Sequence, residues 1–337
     1  MILLADIRLN RLLQWLQSCF QTSDIVLSSL DGDAGFRRYF RFTHSNKDYI
    51  AVDAPKDYCN NEQFVYISNY LSKLGIRVPK IHHYDKENGY FCLEDLGKTL
   101  LADVLTPDSV EAYYQSALSP LYLLSKADIS QVELPDYDAA FIHTELNIFT
   151  EWLLDKHLAL TLTVQEQKLI AQTNEVLVAS ALEQPKVVMH RDYHSRNIML
   201  SNLSDLSVID FQDAVKGPIT YDVVSLLRDC YVRWPTALVN KVFDNFCEHV
   251  SQELALSVSK EQWRRWFDLM GMQRHIKASG IFARLNYRDG KTHYMKDIPL
   301  TLNYIVDVCK LYPELSDFGQ FVERRVLSSF QQGGNIL

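Results

Sequence analysis

The residues best able to do chemistry gather in one stretch. Val187-Val188-Met189 leads into His190-Arg191-Asp192-Tyr193-His194-Ser195-Arg196-Asn197, which gives way to Ile198-Met199-Leu200. Val208-Ile209-Asp210-Phe211-Gln212-Asp213 follows, with Asp210 ten residues beyond Leu200. Apolar runs on both sides of each cluster put the polar residues at strand ends and in a tight loop, where a rigid scaffold usually carries reactive groups. A carboxylate at Asp192 can orient a hydroxyl and receive its proton. Asn197, five residues later on the same loop, and Asp210, at the end of a neighbouring strand, offer the hard oxygen atoms that Mg²⁺ selects. A hydroxyl-orienting carboxylate beside a pair of metal ligands is the equipment of phosphoryl transfer. His190 reads as a packing and hydrogen-bonding residue beneath the loop.

Two differently textured regions must position these groups. Leu9, Leu12, Leu13 and Leu16 recur at helical spacing. A strand is expected at 25–30, then the turn Asp31-Gly32-Asp33-Ala34-Gly35, an alternating strand at 36–42 and a third strand at 49–53. A helix over 60–74, with Phe64, Ile67, Leu71 and Leu74 on one face, precedes two strands at 81–84 and 90–94. From about 107 the pattern turns helical, over 107–126, 138–158, 163–182, 219–231, 235–253, 259–280, 296–311 and 315–329. The catalytic stretch is the one interruption, between 186 and 218. The expectation is a small β-rich lobe over 1–95 and a larger helical lobe over 96–337.

His190-Arg191-Asp192, Asn197 after an intervening four residues, and Ile209-Asp210-Phe211 match the catalytic loop and metal-binding aspartate of kinases. Only eleven residues separate Asp210 from Asp222, which already lies in the next helical pattern, and no Ala-Pro-Glu is present. A long phosphorylatable segment has no room, so a small-molecule acceptor is expected. Further segments carry a more specific resemblance: Gly32-Asp33-Ala34-Gly35-Phe36-Arg37-Arg38-Tyr39-Phe40-Arg41, Val52-Asp53-Ala54-Pro55, Leu93-Glu94-Asp95-Leu96-Gly97, residues 217–229, Gln273-Arg274-His275 and residues 280–290. With them the chain resembles the aminoglycoside phosphotransferase/choline kinase family, and within it is similar to bacterial anomeric kinases of N-acetylmuramate and N-acetylglucosamine.

That resemblance implies a two-lobed, protein-kinase-like α+β fold that uses ATP and Mg²⁺. It makes Asp192 the catalytic base and Asn197 and Asp210 the metal ligands. Backbone groups of Glu94 and Leu96 would meet adenine, and the hairpin around Gly32 and Gly35 would cover the phosphates. The acceptor would be an amino sugar, phosphorylated on its anomeric hydroxyl in peptidoglycan recycling.

One departure concerns the third strand, where such proteins place a phosphate-holding lysine. Ala51 and Asp53 share a face by alternation, and Asp53 occupies the lysine's place. A carboxylate about 4 Å from a phosphate oxygen is repelled by roughly 4 kcal/mol at an effective dielectric near 20. Either Asp53 turns to a cation or another base neutralises the phosphates. Arg38 is the first candidate and Arg37 the second, with Arg41 and Lys56 behind them. On the acceptor side, Lys277 and Arg284 lie seven residues apart on one helical face with Arg274 nearby, a stripe that could meet the lactyl carboxylate of N-acetylmuramate or form a solvated basic face.

The bulk composition is consistent with these roles. The chain of 337 residues is 47% hydrophobic with a formal net charge of −8, so it can build a full core and lacks the basic footprint of a nucleic-acid binder. Asp6, Arg8 and Arg11 interrupt any signal-like core at the start, and six scattered cysteines without a CxxC fit a reduced, cytoplasmic protein. No membrane span and no obligate protein partner are implied. Three alternatives stay open. One is a kinase of another hydroxylated substrate, such as an aminoglycoside, choline or an amino-acid alcohol. Another is a metal-dependent hydrolase built on His190, Asp192, His194 and Asp210. The third is a nucleotide-binding pseudokinase, suggested by Asp53.

Overall fold

A computed structural model describes residues 6–30, 36–202 and 205–333. The chain forms two compact units, Met1–Val104 with Arg196–Asp213, and Leu105–Ser195 with Ala214–Leu337. The division differs from a single cut at residue 95: the segment carrying Asn197 and Asp210 groups with the first unit, whereas Asp192 belongs to the second.

In the first unit, Asp6 caps helix α1 (Ile7–Phe20) by accepting the Leu9 amide, and Leu12 and Leu16 form its buried stripe. Strands β1 (Ser28–Ser29), β2 (Arg38–His44) and β3 (Lys47–Asp53) follow. Helix α2 (Asn61–Lys73), capped by Asn60, leads to β4 (Ile81–Asp85) and β5 (Tyr90–Glu94). The antiparallel sheet runs in the order β1-β2-β3-β5-β4. The expected strand at 25–30 shortens to two paired residues, and the second strand starts at Arg38 rather than Phe36.

Alternation sorts the sheet into two faces. Phe40, Phe42, Ala51, Tyr90 and Cys92 join Leu12 and Leu16 in a core beneath α1. On the other face Phe64 of α2 meets Phe91 edge-on at 5.3 Å between ring centres. The hairpin Ile198–Asn202/Asp205–Val208 is stitched to this unit by backbone bonds from Leu200 to Thr99 and from Val208 to Arg77.

The second unit is largely helical, with α3 set aside in the first unit at Leu101–Val104. Its main helices are α4 (Val110–Lys126), α5 (Ala139–Ile148), α6 (Val164–Leu182), α7 (Tyr221–Leu227), α8 (Thr236–Glu253), α9 (Lys260–Asp289) and α10 (Ile298–Cys309). A two-stranded ladder pairs Lys186–Met189 with Val215–Pro218, beside the catalytic stretch.

Two departures from the periodic reading bear on the site. The helix expected over 138–158 turns from α to π geometry at Phe149–His157. The helix expected to stop at Gly280 continues to Asp289, where Gly290 closes it at φ +68°. Gly280 is a packing residue, since a Cβ there would stand 2.6 Å from the backbone carbon of Ile148 and nitrogen of Phe149. Glycine thus lets α9 pass close to the α-to-π junction that follows Glu145. No helix among the described residues is long and apolar enough to cross a membrane.

Candidate active site

In the second unit, residues 190–195 are anchored one by one. The amides of His190 and Arg191 donate to the two carboxylate oxygens of Asp222, at 2.7 and 3.0 Å. Arg274 Nη1 donates to the Arg191 carbonyl at 3.0 Å. The Asp192 amide donates to His190 Nδ1, which assigns the proton-free nitrogen of that ring. The His194 amide donates to the Asp192 carbonyl, Tyr193 OH to the Ala117 carbonyl, and Ser195 Oγ to Asp229. Arg191 has φ +76°, a left-handed conformation that a non-glycine residue holds only when its surroundings enforce it. The loop is preorganised for its aspartate.

A buried charge cluster lies under that loop. Glu145 Oε1 accepts from Arg191 Nη2 at 2.8 Å and pairs with Lys277 Nζ at 2.7 Å. Glu145 Oε2 accepts from Tyr137 OH and from Gln273 Nε2, and Lys277 also reaches Tyr221 OH at 3.0 Å. Arg274 and Lys277 are each only 9% exposed, so they form no solvated face. Burial works against ionising Asp192, but Lys277, His194, Arg191 and Arg274 outweigh it and hold its carboxyl down at about 2. Glu145 is held at about 2 in the same way, with burial overcome by Lys277 and Arg191. Burial instead pushes the Asp222 carboxyl up to about 7, against its backbone donors and Arg274. Arg284 stands apart from these two. It lies further along α9, forms no ion pair among the described residues, and its buried Nε lacks a hydrogen-bond partner.

The first unit carries the two candidate metal ligands together. Asn197 Nδ2 lies 3.4 Å from Asp210 Oδ2, Gln212 Nε2 donates to Asp210 Oδ1 at 2.7 Å, and the Ile209 amide donates to the Asn197 carbonyl. Asp210 has φ +63°, in the left-handed region like Arg191. Phe211 beyond it is buried and stacks on Phe64 at 5.0 Å. An amide oxygen and a carboxylate are donors suited to Mg²⁺. Among the described residues no group of three or more His, Cys, Asp and Glu side chains is arranged to hold a metal, His190, Asp192 and His194 of the second unit included.

The remaining candidates of the first unit separate by face. Asp53 is fully buried and turned toward α1: Arg8 donates to its Oδ1 through Nε at 2.8 Å and Nη2 at 2.5 Å. Arg38 donates to its Oδ2 through Nε at 3.0 Å and Nη2 at 2.5 Å, and also pairs with Asp6. The carboxylate feared as a repellent thus faces two guanidinium groups, one of them from a helix that the sequence reading left out of the site. Arg41 is tied to Asp95 and to the Gly97 carbonyl, and Lys56 lies exposed near Glu87. Arg37, on the opposite face from Arg38, rests over the Phe64 ring at 5.5 Å. The Glu94 amide is used by the Lys80 carbonyl and its side chain by Arg77, whereas the Leu96 amide has no hydrogen bond among the described residues. Gly32 and Gly35 lie outside the described residues.

Comparison with known proteins bears on the family and the fold. The model of the Phosphotransferase enzyme family matches residues 26–255, more than half the chain. The chain belongs to that family. A Pseudomonas aeruginosa relative named N-acetylmuramate/N-acetylglucosamine kinase is 37% identical over 97% of this chain and 98% of its own. A Neisseria meningitidis protein of the same name is 38% identical over 91% of this chain and 92% of its own. Among solved structures, Plasmodium vivax ethanolamine kinase superposes with a TM-score of 0.62 at 15% identity, covering 87% of this chain and 86% of that one. At that identity the likeness concerns the fold, which is the kinase-like α+β fold expected from the sequence.

Three contributors were missed by sequence reasoning: Asp222, Glu145 and Arg8. Asp222 had a local signal, a carboxylate opening a helix shortly after the metal-type aspartate. The other two are polar residues in amphipathic helices, and nothing in their neighbourhoods distinguishes them from surface positions.

Proposed function

We propose that this phosphotransferase moves the γ-phosphate of ATP to the anomeric hydroxyl of N-acetylmuramate, N-acetylglucosamine or both, giving a sugar 1-phosphate for peptidoglycan recycling. The observation that carries it is Asp192, kept ionised on a loop whose every residue from 190 to 195 is anchored. A carboxylate with a pKa of about 2 is a weak base, so its main work is to aim the hydroxyl and take the proton late. A hemiacetal hydroxyl is more acidic than an ordinary alcohol, which suits so weak an acceptor. Asn197 and Asp210 would hold Mg²⁺, which would supply positive charge to neutralise the phosphates. Backbone groups at Glu94 and Leu96 would receive adenine, and the turn at Gly32 and Gly35 would cover the phosphates. Lys277 and Arg274 are committed to Glu145, Arg191 and Asp192, which leaves Arg284 as the better acceptor for a sugar carboxylate.

Phosphorus NMR with ATP, Mg²⁺ and a panel of N-acetylmuramate, N-acetylglucosamine, choline and an aminoglycoside tests the assignment. A sugar 1-phosphate signal is expected, and turnover of choline or the aminoglycoside alone would replace the sugar reading. Asp192→Asn should lower kcat by roughly 10²–10⁴ with nucleotide affinity near normal. A variant that keeps more than about a tenth of wild-type kcat would remove Asp192 from the role.

A further inference from the structure

Resting on the ATP-dependent reading above, we propose that Arg37, carried on the Phe64 ring, is the fixed cation that meets the ATP phosphates in place of a strand lysine. The sheet register makes the choice. Arg38 pairs with Asp53 and Asp53 with Tyr90, and all three lie on the face covered by α1. Asp53 is closed there by Arg8 and Arg38, and the outer edge of Arg38 is held by Asp6. Those guanidinium groups already face carboxylates. Tyr39 alternates to the opposite face with Val52, its partner on β3, and with Phe91, which meets α2.

Arg37 shares that opposite face, and no carboxylate pairs with it among the described residues. Its one hydrogen bond among the described residues is a long one, 3.4 Å from Nη2 to the Asn60 carbonyl. Its guanidinium lies 5.5 Å from the centre of Phe64, Phe64 stacks 5.0 Å from Phe211, and Phe211 is bonded to Asp210. Burial raises the Tyr39 phenol to about 12, with Arg37 acting against the shift and Asp210 adding to it, so both charges lie within electrostatic reach of one ring. The backbone entering Arg37 is moored by Phe36, which stacks on Tyr58 at 4.6 Å.

A lysine at this place would need a carboxylate on α2 to steady it. Here Glu62 of α2 is taken by Lys86 on the exposed surface, 2.5 Å away. An aromatic shelf does the steadying instead: the flat face of a guanidinium lies on a ring while its edges stay free to contact two phosphate oxygens. Unlike an ammonium, it keeps its charge at any working pH.

Calorimetric titration of MgATP and of adenosine into the wild type, Arg37→Gln, Arg37→Lys, Phe64→Leu and Arg38→Gln tests the assignment. Arg37→Gln should weaken MgATP about 10- to 100-fold and leave adenosine unchanged. Arg37→Lys should recover part of the loss, and Phe64→Leu should weaken MgATP selectively with the fold intact by circular dichroism. Arg38→Gln should lower the melting temperature, with MgATP and adenosine affinities moving together. An unchanged MgATP affinity in Arg37→Gln, or an equal loss for adenosine, overturns the role of Arg37 alone. A wild-type protein that binds no MgATP overturns the kinase reading and this role with it.

Discussion

Lys277→Met separates two roles for a buried cation. In the structure Lys277 Nζ is 2.7 Å from Glu145 and 3.0 Å from Tyr221 OH, with side-chain exposures of 11% for Lys277 and 5% for Glu145. Removing one partner of such a pair leaves a buried charge short of its counter-ion, at a cost of about 3–5 kcal/mol. Arg191, Tyr137 and Gln273 still hold Glu145, so the lower end, about 3 kcal/mol, is expected. In a unit of this size that lowers Tm by roughly 6–12 °C. Asp192 keeps Arg191, Arg274 and His194 nearby and stays ionised at neutral pH, so kcat should fall by less than about tenfold and the KM for sugar should hold. Glu145→Gln strands Lys277 beside Arg191, and the double mutant should be less damaged than the two losses added, with a coupling of about 1–3 kcal/mol. Thermal melts and steady-state kinetics on the three variants read all of this. A Tm within about 2 °C of wild type combined with a raised KM for sugar would refute the brace and make Lys277 a sugar ligand, as its helical stripe first suggested.

Three other outcomes follow from the geometry. Asp210→Ala should abolish Mg²⁺-dependent ATP binding more severely than Asn197→Ala, because a carboxylate supplies charge as well as a ligand; calorimetry showing unchanged MgATP affinity in both would remove the metal assignment. Gly280→Ala puts a methyl group 2.6 Å from the Ile148–Phe149 backbone, which cannot swing aside as a side chain can, so a loss of about 3 kcal/mol or more is expected in denaturant melts, and a neutral result would show that α9 can shift. Asp222 is raised to about 7, so its share of stability is present below the ordinary carboxylate range and is lost as pH rises through about 7, whereas the depressed Asp192 and Glu145 lose theirs as pH falls from about 4 toward 2. Asp222→Asn should therefore flatten the decline in Tm from pH 4 to 7, and an unaltered slope would show that Asp222 is ionised throughout.

Catalytic chemistry was legible wherever the chain keeps it local. Asp192, Asn197 and Asp210 stand within nineteen positions of one another between apolar runs, and the residue types with their offsets are enough to suggest phosphoryl transfer. Periodicity likewise located α2 to within a residue or two, because its apolar stripe repeats along the same element that it defines. Alternation also placed Ala51 and Asp53 on one face, but it could not say which. Only the packing of α1 over that face turned Asp53 from a threat to phosphate into an anchor for Arg8 and Arg38, and left Arg37 on the other side. Glu145 reaches Arg191 and Lys277 from a helix 46 residues before the first and 132 before the second. Gly280 looked like a helix stop until the passing backbone of Ile148 and Phe149 gave it a reason to sit mid-helix. A period belongs to one element and is written in its own residues. Charge compensation and close backbone approach belong to pairs of elements, and they arise only when folding brings distant segments within a few ångströms.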